Sequence, residues 1–193
     1  MPFRRSLRDF RGFTLVELLV VIGIIAVLAT ILLLQLGTAR SKSRDAARIS
    51  HINQMRSAIE QFFDDCGSYP RDNNFTQGYA LTGCGAGTKV IDKYISPTPV
   101  DPLGASTCTT YNGASGNGCY GYAWNVLAGT SATRYQIWAE LELKNKQALD
   151  NDSDVNVGVD WTATGGSGTN GTTETCANSS TADHECQFDL GLK

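Results

Sequence analysis

The chain has 193 residues, with 16 Lys and Arg against 19 Asp and Glu, and a formal net charge of −3. That balance excludes a globally basic nucleic-acid binder, and the length fits one membrane helix plus one globular domain. Six cysteines without a Cys-x-x-Cys pair, and two histidines remote from them (His51 and His184), exclude zinc-ligand spacing.

Residues 1–12 hold Arg4, Arg5, Arg8 and Arg11 and end in Gly12. Phe13-Thr14-Leu15-Val16-Glu17 follows, and an apolar run then continues to Leu36. No charged side chain occurs from Leu18 to Leu34, so Glu17 stands alone in the segment. A helix over Phe13–Leu36 would be roughly 36 Å long, enough to cross a hydrocarbon core of about 30 Å. An acid at that depth is expensive and is by default functional.

Helical pattern persists beyond Leu36. Ala39, Ala46, Ala47, Ile49, Ile52, Met55, Ile59, Phe62 and Phe63 form an apolar stripe with polar residues between them. Gly67 is the predicted stop, with Pro70 just beyond. The spacing therefore predicts one helix over Phe13–Asp65. Its 13–36 half is membrane-grade, and its 37–66 half is amphipathic and packs on a sheet. Gly23 and Gly37 are its weak points, each costing about 1 kcal/mol relative to alanine.

Residues 67–193 read as a globular head. The stretch 71–104 is loop-rich, with a short helical candidate at Val90–Tyr94. Tyr111 and Cys119–Val126 flank a polar Gly-rich cluster at 112–118 and read as hairpin arms. Arg134–Leu143 alternates as a half-buried strand, and Cys186–Leu192 alternates Phe188 and Leu190 against Gln187 and Asp189. Between the last two strands, Asp150–Glu185 is rich in Gly, Ser, Thr, Asn and Asp and reads as a long structureless loop. The expected fold class is α+β: a long N-terminal helix on a small antiparallel sheet of three or four strands.

Gly12-Phe13-Thr14-Leu15-Val16-Glu17-Leu18-Leu19-Val20-Val21-Ile22 resembles the N-terminal signature of type IV pilins and type II secretion pseudopilins. The resemblance implies a pilin-like fold. It also implies cleavage between Gly12 and Phe13 by a membrane prepilin peptidase, with N-methylation of Phe13. Removing residues 1–12 takes away four arginines and Asp9, which moves the net charge from −3 to −6. Glu17, by the same resemblance, neutralises the free amine of Phe13 on a neighbouring subunit. Asp65-Cys66-Gly67-Ser68-Tyr69-Pro70 and Pro99-Val100-Asp101-Pro102-Leu103-Gly104 are similar to words that close the helix and precede the sheet in major pseudopilins and related pilins.

Three other readings fit parts of the segment. An ordinary signal peptide could be cut after Gly37-Thr38-Ala39, but its apolar region should run about 7–15 residues. A plain anchor could carry Glu17 near the headgroups. A buried soluble helix rarely has so long an uncharged stretch. Arginines and lysines are tied at four on each side of the run, counting Arg40, Lys42, Arg44 and Arg48. The resemblance and the cysteines break that tie in favour of a single pass, with the N-terminus cytoplasmic and the head outside.

Cys66, Cys84, Cys108, Cys119, Cys176 and Cys186 favour disulfides and an oxidising compartment over free thiols. Proximity pairs them as Cys66–Cys84, Cys108–Cys119 and Cys176–Cys186, one of 15 connectivities. Asp150, Asp152 and Asp154 alternate like the start of a calcium loop. Val155 stands where such a loop has glycine and Trp161 where it has glutamate, so a solvated acidic loop is the competing reading. Asn74-Phe75-Thr76, Asn170-Gly171-Thr172 and Asn178-Ser179-Ser180 match the N-glycosylation triplet, at a frequency that chance explains in so Asn-, Ser- and Thr-rich a chain.

No catalytic constellation and no phosphate loop appear, so no enzyme activity is expected. Nor is a cofactor expected, calcium aside. The expected function is a structural subunit of a type IV pilus or similar filament. The alternatives are a major pseudopilin of a type II secretion system and a low-copy tip subunit that binds a ligand. The expected partners are copies of itself and related pilins, the peptidase and a membrane assembly platform. The expected location is the cytoplasmic membrane, then an extracytoplasmic filament.

Overall fold

The computed structural model describes residues 12–84, 89–103, 111, 120–126, 131–143, 145–153, 161–162 and 187–191. Helix α1 spans Leu15–Cys66, within two residues of expectation at each end. The chain divides into two compact units, Met1–Arg40 and Ser41–Lys193. In the first, the apolar side chains from Leu15 to Leu33 are exposed. Among the described residues α1 alone is long and apolar enough to cross a membrane.

The second unit contains β1 (Ala80–Leu81), β2 (Lys89–Val90), β3 (Gly121–Asn125), β4 (Arg134–Glu140), α2 (Lys146–Leu149), β5 (Trp161–Thr162) and β6 (Gln187–Gly191). One antiparallel sheet has the order β5-β3-β4-β6, and β1 pairs with β2 in a separate ribbon. The registers place Tyr122 opposite Ile137 and Ile137 opposite Leu190.

The helix C-terminus is built as expected. Gly67 takes φ +67°, a conformation that costs a residue with Cβ, and its N–H donates to Phe63 O at 2.7 Å. Tyr69 N–H then donates to Ala132 O at 2.9 Å, and Ser68 Oγ accepts Ala132 N–H at 2.9 Å. The turn is thereby stitched to the approach to β4. Val90–Tyr94 holds a single 3₁₀ turn, Ile91–Lys93.

The core is aromatic. Ile52, Met55, Ile59 and Phe62 of α1 meet Tyr69, Phe75, Tyr111, Tyr122, Tyr135 and Ile137, all at most 2 % exposed. Buried tyrosine hydroxyls need partners. Tyr122 donates to Pro70 O at 2.9 Å and Tyr111 to Pro99 O at 2.6 Å. Glu60 accepts from both Tyr69 (3.0 Å) and Tyr135 (2.8 Å).

Four expectations need correction. Ala39 and Ala46 are exposed, and the inward positions at that end of the stripe belong to Asp45 and Arg48, each 4 % exposed. Neither β4 nor β6 is half-buried, because Gln136, Trp138, Gln187 and Asp189 are buried too. Trp138 lies over Gly121, where an added Cβ would fall 1.9 Å from the indole, and Gln136 donates to Asp189 at 2.9 Å. The loop-rich stretch 71–104 contains the β1–β2 ribbon. The long loop is not structureless, since Trp161–Thr162 pairs with β3 as an edge strand. Of the expected hairpin, Tyr111 O accepts Tyr122 N–H at 3.0 Å, while 112–119 lies outside the described residues.

Candidate functional site

The expected cleavage junction lies just before α1. Gly12, Phe13 and Thr14 are outside the helix, and all three are exposed. A peptide bond that a protease must grip in extended form is therefore not locked in helical hydrogen bonds. Thr14 is the helix N-cap and Glu17 the third helical residue. Glu17 N–H donates to Thr14 Oγ1 at 3.3 Å. Thr14 N–H and Oγ1–H donate back to Glu17 Oε2 at 2.9 and 2.7 Å. This reciprocal arrangement is a capping box, and it places the carboxylate at the positive end of the helix dipole.

Thr14-x-x-Glu17 is the sequence signal of that box, a local role for Glu17 beyond that of a membrane acid. All three bonds lie on the Phe13 side of the proposed cut. They hold Glu17 at the end of its own helix.

The second unit carries a charged seam. Arg48 donates to Asp101 at 2.6 and 3.1 Å, to Asp45 at 2.8 Å and to Glu142 at 2.8 Å. Arg44 forks across both oxygens of Glu142, with its Nε 2.6 Å from Oε1, the oxygen that Arg48 also reaches. Asp45 also accepts Glu142 N–H at 2.9 Å and Leu143 N–H at 3.0 Å. The hydrogen bond from Arg44 is the largest influence on Glu142 and, with Arg48, takes its pKa from 4.5 to about 2. Burial works against the charge of Arg48, but its bonds to Asp101 and Glu142 outweigh it and hold the guanidinium above its ordinary value. The seam ties the end of β4 and the Pro-x-Asp-Pro-x-Gly word to α1. It has a structural task and no nucleophile.

Cys66 and Cys84 are bridged as expected, with Cα atoms 4.7 Å apart, which anchors the helix end to the segment after β1. Cys108, Cys119, Cys176 and Cys186 lie outside the described residues. Asp150 is exposed on the turn after α2, and Asp152 Oδ2 accepts Asp189 N–H at 3.3 Å. Asp154 lies outside the described residues, and among those described no three His, Cys, Asp or Glu side chains are placed to hold a metal ion.

Residues 7–33 match the family described as "Prokaryotic N-terminal methylation motif". The chain is 40 % identical over 63 residues to the type IV wide pilus major component PilA4 of Thermus thermophilus, covering 33 % of this chain and 48 % of that protein. It is 31 % identical over 102 residues to the fimbrial protein EcpC of Eikenella corrodens, covering 52 % and 60 % respectively. It is 34 % identical over 111 residues to the type IV major fimbrial protein FimA of Dichelobacter nodosus, covering 51 % and 70 %. The chain thus spans about half to two thirds of the length of these relatives. No solved structure matches it significantly. A capped apolar helix behind an arginine-rich N-terminal stretch, an α+β head and the alignment to FimA together place this chain in the type IV pilin superfamily.

Proposed function

We propose that this chain is a structural subunit of a type IV pilus, held in the cytoplasmic membrane by a single pass of α1 before assembly. The carrying observation is the exposed Gly12–Phe13 junction next to an apolar segment, 13–36, whose one acid, Glu17, sits in the N-terminal cap of α1. A prepilin peptidase cuts after Gly12, and Phe13 becomes the N-methylated first residue. Cleavage creates an ammonium group one helical turn from Glu17. In a filament, that group on one subunit and Glu17 on its neighbour neutralise each other in an apolar setting, where either charge alone is costly. The N-terminus is cytoplasmic and the head is translocated, where the Cys66–Cys84 bridge persists.

The relatives named above are pilus and fimbrial components, which favours a pilus over a secretion pseudopilus. They are structural proteins, in keeping with a chain whose charged seam serves packing. Partners are other copies, related pilins and a membrane assembly platform.

Intact-mass analysis of protein extracted from membranes tests the processing step. A start at methylated Phe13 is expected, and a start at Arg40 would sink the pilin reading. Glu17→Ala and Glu17→Gln are expected to insert normally yet yield few filaments. Wild-type filament yield from either would make Glu17 a merely tolerated acid.

A further inference from the structure

Asn74-Phe75-Thr76 is a glycosylation triplet in sequence, and the fold gives it a geometry that chance does not require. Thr76 N–H and Oγ1–H both donate to Asn74 Oδ1, at 3.1 and 2.6 Å. Asn74 N–H donates to Asp72 Oδ1 at 2.9 Å, so two side-chain turns follow one another. Phe75, between them, is fully buried against Tyr111 and Tyr122. Asn74 is half-exposed and Thr76 exposed. Among the described residues, nothing accepts a hydrogen bond from Asn74 Nδ2. The buried phenylalanine anchors the triplet, while its reactive nitrogen is left uncommitted.

We propose that Asn74 is an N-linked glycan acceptor, modified by a membrane transferase that uses a pyrophosphate-linked sugar donor on the translocated side. In the transfer, the C1–O bond to the donor phosphate breaks and its electron pair leaves with the phosphate. The Nδ2–C1 bond forms, and one Nδ2 proton passes to a base on the transferase. The two donors on Oδ1 stabilise the charge that gathers on that oxygen as Nδ2 loses its proton. Asn74 is half-exposed while Phe75 stays buried, so a glycan on Nδ2 adds polar bulk at the surface. The inference rests on the proposed export of the head, because the donor acts outside the cytoplasm.

The test is mass spectrometry of the protein purified from the cells that make it, intact and after trypsin. Reduction of the Cys66–Cys84 bridge and cleavage at Arg71 and Lys89 release residues 72–89, which contain the triplet. The expected result is a glycan on Asn74 in most copies, abolished in Asn74→Asp and Thr76→Ala and retained in Thr76→Ser. Asn74→Asp keeps an oxygen for the two Thr76 donors, so loss of the glycan there is loss of Nδ2 and not of the fold. An unmodified peptide 72–89 overturns the proposal, including when a glycan is found only at Asn170 or Asn178. The intact spectrum also reads the N-terminus. A chain that starts at Phe13 with bare Asn74 refutes this inference alone, whereas a chain cut elsewhere refutes the pilin reading itself.

Discussion

Replacing Arg48 with methionine keeps much of the side chain's length and removes its charge. The guanidinium is 4 % exposed and serves three carboxylates, two of which, on Asp45 and Asp101, are themselves 4–5 % exposed. Breaking a buried pair by deleting one partner costs about 3–5 kcal/mol, because the surviving charge is stranded. At about 2–4 °C per kcal/mol for a domain of this size, the melting temperature should fall by roughly 6–20 °C. The assay is thermal melting of the full-length chain in detergent, followed by near-ultraviolet circular dichroism of the aromatic core. Arg48→Met/Asp101→Asn should recover part of the loss, since Asp45 keeps its two backbone donors and Glu142 keeps Arg44. Lys93→Ala removes an exposed pair with Asp65 and should leave the melt unchanged. A melting temperature for Arg48→Met within about 2 °C of wild type, or no recovery in the double variant, would refute the reasoning.

Acid should weaken the same seam. Glu142 has a folded pKa of about 2, below its ordinary value, so its contribution is complete above about pH 5 and is lost as pH falls through about 2. Melting curves from pH 6 to 2 should show that decline, and Glu142→Gln should flatten it. Reducing or deleting the Cys66–Cys84 bridge, which spans 18 residues, should cost about 3 kcal/mol by chain entropy, measured as a lower denaturant midpoint. Thr14→Val removes both hydroxyl bonds of the capping box, and amide exchange at Leu15–Glu17 in micelles should accelerate. Millimolar calcium should leave the melting temperature unchanged, because Asp152 is turned toward Asp189 N–H; a rise of several degrees that is lost in Asp152→Ala would establish the site instead.

Where side-chain periodicity is long, the fold can be read from it. α1 announced itself by an uncharged run followed by a stripe, and Gly67 marked its end because few other residues take φ +67° there. The strands β4 and β6 were legible from alternation, but the burial of their polar faces was not. That burial depends on Trp138 covering a distant glycine and on Gln136 meeting Asp189 across the β4–β6 register. Two-residue strands such as β1, β2 and β5 contain too few positions to show a period. The burial of Asp45 and Arg48 has no local signal, because charge is ordinarily outside. Their partners Asp101 and Glu142 lie 53 and 94 residues from Arg48, beyond any local pattern. Glu17 has two roles three residues from Thr14, a rare acid in an apolar run and a partner in a capping box, and only the second is a local pattern.

Glu60 lends the long helix a second fixed point. The buried positions 45, 48, 52, 55, 59 and 62 repeat every seven residues, so their aliphatic members could slide by two turns and still face the sheet. Greasy contact is non-directional and discriminates poorly between such alignments. Glu60, receiving two tyrosine hydroxyls, and Arg48, received by three acids, stand twelve residues apart, or about 18 Å along the axis. A slip of two turns, seven residues, would keep the stripe facing the sheet but carry both about 10.5 Å along the axis, out of reach of every partner at once. The helix is thus keyed to its sheet as a ruler is set at two marks. The apolar stripe supplies adhesion, and the two polar posts decide which of several equally greasy alignments is the native one.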